Sequence, residues 1–593
     1  MNTIVTFNLN ETDLKELFVW LIREYPLYFQ EPERIKEIIY LFDVNESDTI
    51  TMVIESDHVD RQYRDSYYSY FSQKYSDFER NCIRLAFFEG ELKYTDFMSD
   101  MSTIGKDILI GTVVLRPLNV GNIGHTLLNP HKLKINGYVQ TCKFKIMICG
   151  RKFTIRAFPY LTQDNETMTC AETALFNLIQ YYSEKYCEYR ILMPSEILRT
   201  LEASYYERVL PSQGVDDVHM AKVLQAGHFH PRLYPYKNEE ADGFEELFYA
   251  YVESGIPFIL GLPQHAVVCI GHGPVDFKMD HHKLGDIVSS DDFENKKIYS
   301  ISTARLVDEY IFMDDNEAPY VISTIDKLTV RYYENSDMPY EEEDIEKEDY
   351  GENNESDLGD NQSKEQIVYT EDAILGMKRR FDTLLVPLYK RIFLDASRAK
   401  SIFEEHFLQN PDFIEKLQEA YGDDTWGYFE ENPLVWRMYL ASSNSYKDFK
   451  CKTASNTDIF QYYSSQPYPR FIWVLEIGTI STFSEHKARA EILLDATSSS
   501  NSNTWAILSI GYKGHLVFVP YVVRKLNEKQ TAGVNIYKED SLDQEFSLGN
   551  WEKISDDVNQ RVLTVIFETL YYKDNKFVND TYKIFCDSNL KEI

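Results

Sequence analysis

Residues 11–25, ETDLKELFVWLIREY, repeat apolar positions at Leu14, Leu17, Phe18, Leu21 and Tyr25. That three- and four-residue spacing predicts an amphipathic helix, with Asn10 or Thr12 as its cap. TITMVI, 49–54, predicts a strand, and the tyrosine-rich run 61–80 predicts a helix. ILIGTVVLRPL, 108–118, predicts a strand stopped by Pro117, and KFKIMICGRKFTIRAF, 143–158, a hairpin turning at Cys149-Gly150. In TMTCAETALFNLIQYY, 167–182, apolar residues at 171, 174, 175, 178 and 182 keep helical spacing, and Phe176 and Ile179 widen the stripe. This helix is therefore expected to be buried on most sides. The stretch before it, YLTQDNETMT, is polar and loop-like, so Cys170 stands at or beside the helix start. Further on, HAVVCI (265–270) and YIFM (310–313) predict short strands. Residues 370–420 read as helical, and 470–480, 490–495, 505–510 and 515–522 as strands, the last two around a Tyr512-Lys513-Gly514 turn.

This mixture predicts an α+β protein. Its clearest boundary is 334–365, which carries 14 Asp and Glu against 2 Lys. So charged a stretch, with almost no apolar content, reads as an acidic insert or linker. The expected division is an N-terminal α/β domain (1–145), a central domain (146–333), the acidic segment (334–366) and a C-terminal α/β domain (367–593).

Composition narrows the function classes. The chain has 593 residues, 44% hydrophobic and 14% aromatic, enough for packed cores. Its net charge of −34 repels phosphate backbones, so nucleic acid is not expected as a partner. No apolar run approaches 18 residues and the amino terminus lacks a signal-peptide pattern, so no membrane association is expected. Eight cysteines without a CxxC pair point to free thiols in a reducing cytoplasm.

Candidate chemistry gathers at three places. Backbone N–H groups at a helix start are unpaired and the helix dipole is positive there, which favours a thiolate at Cys170. His265 opens a strand, where its ring can be held rigidly. Asp314 and Asp315 close another, where either carboxylate can accept the imidazole N–H and fix its tautomer. The bland alternative is a core cysteine, a satisfied histidine and a strand-end aspartate. PSQGVDD, 211–217, is a turn-like loop that can border a cleft. His272 is expected to be structural, on the strand face opposite His265. The histidines at 228, 230, 281 and 282 have no Cys or carboxylate at a familiar ligand spacing, so neither metal nor cofactor is expected.

Helix-opening Cys170, strand-opening HAVVCIGHG and strand-closing YIFMDDN together resemble the papain-like cysteine peptidases, over about residues 155–325. The closest pattern is the bacterial branch that includes the bacteriocin-leader peptidases of export ABC transporters. The resemblance implies a Cys170–His265–Asp triad, with Asp314 or Asp315 as its third member. It implies an oxyanion hole from Gln163 and the Cys170 N–H, Gln163 standing one residue further from the cysteine than is usual. It implies cleavage of a protein or peptide substrate through a thioester, without cofactor, in a cytosolic, regulated bacterial effector such as a stress or anti-phage defence protease with a regulatory protein partner. Two other outcomes share this pattern: a binding scaffold on a degenerate papain-like fold, and another acyl transfer, such as deamidation or transpeptidation.

Overall fold

The computed structural model describes residues 2–98, 108–205, 209–212, 214–235, 243–278, 298–328, 383–410, 433–453, 463–484, 488–498 and 506–512, with a few shorter pieces. The acidic stretch 334–366 and the residues 513–514 of the expected turn lie outside the described residues.

The N-terminal unit is an antiparallel sheet of β1 (Thr3–Asn8), β2 (Thr49–His58), β3 (Cys82–Glu89), β4 (Leu109–Leu115) and β5 (Ile123–Leu128), in that order. Helices α1 (Glu11–Glu24), α2 (Pro32–Tyr40), α3 (Arg61–Ser69) and α4 (Tyr94–Met98) connect its strands. Asn10 is the cap of α1: its side chain accepts from Asp13 N–H at 2.8 Å, while Leu14, Leu17, Phe18 and Leu21 face the core. The helix expected over 61–80 is shorter. It ends at Ser69, because Tyr70 leaves the helical region with φ −139° and a 3₁₀ turn at Phe71–Gln73 follows. Next come β6 (Tyr138–Val139) and the hairpin of β7 (Cys142–Ile148) and β8 (Arg151–Ala157). Cys149 and Gly150 both take positive φ, +48° and +77°, as a two-residue hairpin turn requires.

The rest of the chain holds α5 (Cys170–Lys185), α6 (Pro194–Glu202), α7 (Asp217–Ala226), β9 (His230–Pro235), α8 (Phe244–Glu253), β10 (Phe258–Leu262), β11 (His265–His272), β12 (Asp286–Val288), β13 (Ile298–Ser302), β14 (Tyr310–Met313) and β15 (Val321–Ser323). After the acidic stretch come β16 (Thr383–Leu388), α9 (Ala396–Phe403), β17 (Leu434–Ser442), α10 (Ser443–Thr453), β18 (Phe471–Thr479), α11 (Ile480–Ser484), β19 (Ala490–Asp495), β20 (Ile507–Tyr512), β21 (His515–Phe518) and β22 (Lys591–Glu592). A central sheet runs β15-β14-β11-β10-β16-β9, with β6 beside β11 and β22 beside β6. A C-terminal sheet runs β12-β13-β17-β18-β19-β20-β21.

Helices and largely antiparallel sheets make this an α+β protein. Among the described strands only β13 and β17 pair in parallel, so the flanking units, expected as α/β, are antiparallel apart from that one pair. Sheet boundaries do not follow the expected domain boundaries. β6, from the first segment, pairs with β11 of the central sheet, and β13 joins the C-terminal sheet. Residues 383–388, expected within a helical region, form the strand β16 between β10 and β9. Their run TLLVPL is buried from Leu384 to Leu388, and a continuous apolar run of this length suits a strand covered on both faces.

The central sheet is covered on both sides. Along β11, Ala266, Val268 and Ile270 join one core with α5 and the N-terminal unit. Val267 and Cys269 join a second core with α8 and the C-terminal sheet. The two-residue alternation of a strand sorts these side chains. Both cores meet at β11, whose first residue is His265.

Candidate active site

The loop before α5 is built around one buried carboxylate. Asp164 Oδ1 accepts the N–H groups of Glu166 (3.0 Å), Thr167 (2.7 Å) and Met168 (2.9 Å), and Oδ2 accepts the Thr167 hydroxyl at 2.5 Å. This Asx-centred loop folds the extra residue between Gln163 and Cys170 into a compact bend, so both line one cleft. Glu172, itself buried, accepts from the Thr169 N–H at 3.1 Å and from the Thr169 hydroxyl, fixing the helix start. Cys170 is the first residue of α5, so its N–H has no partner within the helix.

His265 follows the two-residue turn between β10 and β11, in register with Leu262. Its Nε2 lies 2.9 Å from Asp314 Oδ1 and 3.7 Å from Asp315 Oδ1. Its ring also contacts the Cys170 thiol. Burial alone lowers the His265 pKa. The hydrogen bonds to Asp314 and Cys170, with the charges of Asp314 and Asp315, outweigh it and raise the value to about 10. Asp314 is therefore the hydrogen-bonded partner of His265, and Asp315 a second neighbour. Burial and the adjacent Asp314 push Asp315 up to about 6, against the opposing pull of His265.

The cleft has a volume of about 720 Å³. The PSQGVDD loop forms one wall through Ser212, Gly214, Val215, Asp216 and Asp217, and Gly261, Leu262 and Gln264 form another. Apart from His265, its charged lining among the described residues is Asp216 and Asp217.

Gln163 lies on the cleft wall, and its Nε2 donates to Asn316 Oδ1 at 2.9 Å. His272 is elsewhere, bonded to Glu253 of α8 at 3.1 Å. His230 opens β9 on the surface, and His281 and His282 lie outside the described residues. His265, Asp314 and Asp315 offer ligand atoms within 4.8 Å of one another, a set able to hold a cation. A cation on Nε2 would displace its hydrogen bond to Asp314, so the two uses exclude each other.

Several residues of this region carry no local signal in the sequence. Arg34 donates to the carbonyls of Asp315 (3.0 Å) and Asn316 (2.8 Å). Arg116, fully buried, donates to Thr162 O at 2.8 Å and to Gly121 O, anchoring the segment that enters the loop. Gly121 has φ +67°, and a Cβ there would stand 1.8 Å from Gln163 O, so only glycine fits. Most of these contacts join residues far apart in the chain, which is why spacing rules pass over them.

No family model, curated protein or solved structure matches this chain. Among the described residues, no helix is long and apolar enough to cross a membrane.

Proposed function

We propose that this chain is a papain-like cysteine peptidase acting on a protein or peptide through Cys170, His265 and Asp314. The observation that carries this reading is the His265 ring, hydrogen-bonded to Asp314 at 2.9 Å and in contact with the Cys170 thiol, in an open cleft that both His265 and Cys170 line.

Nε2 donates its hydrogen to Asp314, which leaves Nδ1 as the nitrogen that takes the thiol proton. The resulting imidazolium is stabilised by two carboxylates. The Cys170 thiolate attacks the carbonyl carbon of a peptide bond, and the Cys170 N–H and the Gln163 amide face the oxyanion that forms. His265 returns its proton to the leaving nitrogen as the C–N bond breaks, leaving an acyl thioester on Cys170. Neutral His265 then takes a proton from water, whose oxygen attacks the thioester. The acid product leaves and the thiol is restored.

The test is the alkylation rate of Cys170 by iodoacetamide against pH, read by peptide mass spectrometry, in wild type and His265→Ala. An activated pair labels rapidly below pH 7 and loses that speed without His265. Labelling no faster than at the other cysteines and indifferent to His265 would reject the peptidase. Product analysis on a peptide library separates hydrolysis from deamidation or transpeptidation.

A further inference from the structure

The turn that carries Asp314 is held from outside the central sheet. Glu317 N–H donates to Asp314 O at 3.2 Å, and Asn316 N–H donates to Asp314 Oδ1 at 3.0 Å, so residues 314–317 form a tight turn around the carboxylate. The carbonyls of residues 315, 316 and 317 need donors of their own. Arg34, on α2 of the N-terminal unit, supplies two from one guanidinium, Nη1 to Asp315 O and Nη2 to Asn316 O. The Tyr160 hydroxyl supplies the third, to Glu317 O. A planar fork that spans two carbonyls fixes both position and angle, which a lysine ammonium does not.

The side chain of Asn316 then connects the two halves of the cleft. Its Oδ1 accepts one hydrogen of the Gln163 amide at 2.9 Å, and its Nδ2 stands 3.5 Å from His265 Nδ1. A primary amide has two hydrogens. The bond to Asn316 fixes which end of the Gln163 amide is nitrogen, and that nitrogen carries a second hydrogen on a side chain that lines the cleft.

We infer that Asn316 is a positioning residue linking Gln163 to the His265–Asp314 pair, and that Arg34 holds it there, which makes the N-terminal unit a working part of the catalytic centre. This rests on the peptidase reading. Loss of the clamp lets the Asp314 turn drift, weakens support for the imidazolium, and slows attack by the Cys170 sulfur.

The test measures Cys170 alkylation by iodoacetamide from pH 5 to 10 in the full chain, for wild type, His265→Ala, Arg34→Met, Arg34→Lys and Asn316→Ala, each checked by thermal melting. Arg34→Met and Asn316→Ala are expected to label about tenfold more slowly at pH 6, the size expected when one hydrogen bond that supports a charged group is weakened. Guanidinium at non-denaturing concentration is expected to restore part of the rate to Arg34→Met but none to Asn316→Ala. Arg34→Lys should resemble Arg34→Met. A purely structural arginine would change the melting temperature and leave the pH profile alone. If Arg34→Met does not fold, Asn316→Ala, which keeps the turn's backbone bonds, carries the test. Wild-type profiles in both Arg34→Met and Asn316→Ala, with labelling still dependent on His265, would overturn this inference and leave the peptidase standing. Wild-type labelling independent of His265 would instead remove the peptidase reading on which it rests.

Discussion

β11 carries a histidine–carboxylate pair at each end, and the two differ in everything except that pair. At its start, His265 meets Asp314 at 2.9 Å, beside the Cys170 thiol and an open cleft. At its end, His272 meets Glu253 at 3.1 Å, and its other ring nitrogen bonds Gly273 O at 2.6 Å. The rings of Tyr138 and Tyr249 pack around His272, and Glu253 in turn bonds Arg437 at 2.6 Å. Arg437 also bonds Glu476, which accepts the Tyr439 hydroxyl at 2.9 Å. Both ring nitrogens of His272 are thus occupied and both its neighbours are sealed in the core. A histidine paired with a carboxylate is therefore not by itself chemistry. A thiol beside the ring and an open cleft that reaches it separate the two ends.

The largest expected effect comes from removing the Cys170 thiol. Cys170→Ala is expected to lower peptide cleavage by about 10⁴-fold or more with an unchanged melting temperature, since nucleophile and base act as a unit. Cleavage that survives would place the chemistry elsewhere. Next in size is the pH profile. On the peptidase reading His265 acts as the acid while protonated, so cleavage should fall as pH rises through about 10. Removal of its main anionic support in Asp314→Ala should move that alkaline limb down toward ~6.5, the ordinary imidazole value. An unmoved limb would mean that Asp314 does not support the imidazolium.

Glu253→Ala tests the sealed end. It strips a buried partner from Arg437 and should cost roughly 3–5 kcal/mol in chemical denaturation, without altering the pH profile of Cys170 alkylation. Arg437 and His272 hold Glu253 below the usual carboxylate range against the effect of burial. Its contribution is therefore present above the unfolded carboxylate pKa of ~4.3 and lost as pH falls. The wild type should lose that increment in acid, whereas the variant lacks it at every pH. A changed alkylation profile would show that the two ends of β11 are coupled. The smallest expected effect is that of a chelator. EDTA should leave cleavage unchanged; loss on chelation and return with Zn²⁺ would assign His265, Asp314 and Asp315 to a cation instead.

Elements with strong periodicity were legible in advance. The face Leu14, Leu17, Phe18, Leu21 is the buried face of α1, and Cys149-Gly150 is the turn of its hairpin. Residues 383–388 were not legible, because a short apolar run carries no period that separates a buried strand from a helix segment. The end of α3 was missed because the tyrosine run keeps its composition beyond Ser69 while the backbone changes at Tyr70. Within the candidate site, Cys170, His265 and Asp314 each carried a local sign, the edge of a helix or strand. The choice between Asp314 and Asp315 did not, since neighbours in sequence share the same local context.

Local patterns along the chain were enough to put Cys170 at a helix start, His265 at a strand start and a carboxylate pair at the end of another strand. Those facts follow from apolar spacing and from polar residues at element ends, which act over a few positions. Only the tertiary structure decided that the three meet, that Asp314 rather than Asp315 bonds the ring, and that Arg34 and Asn316 brace the turn between them. Such contacts join residues that only the packing of three sheets brings together, and a hydrogen bond depends on tenths of an ångström that no local pattern records.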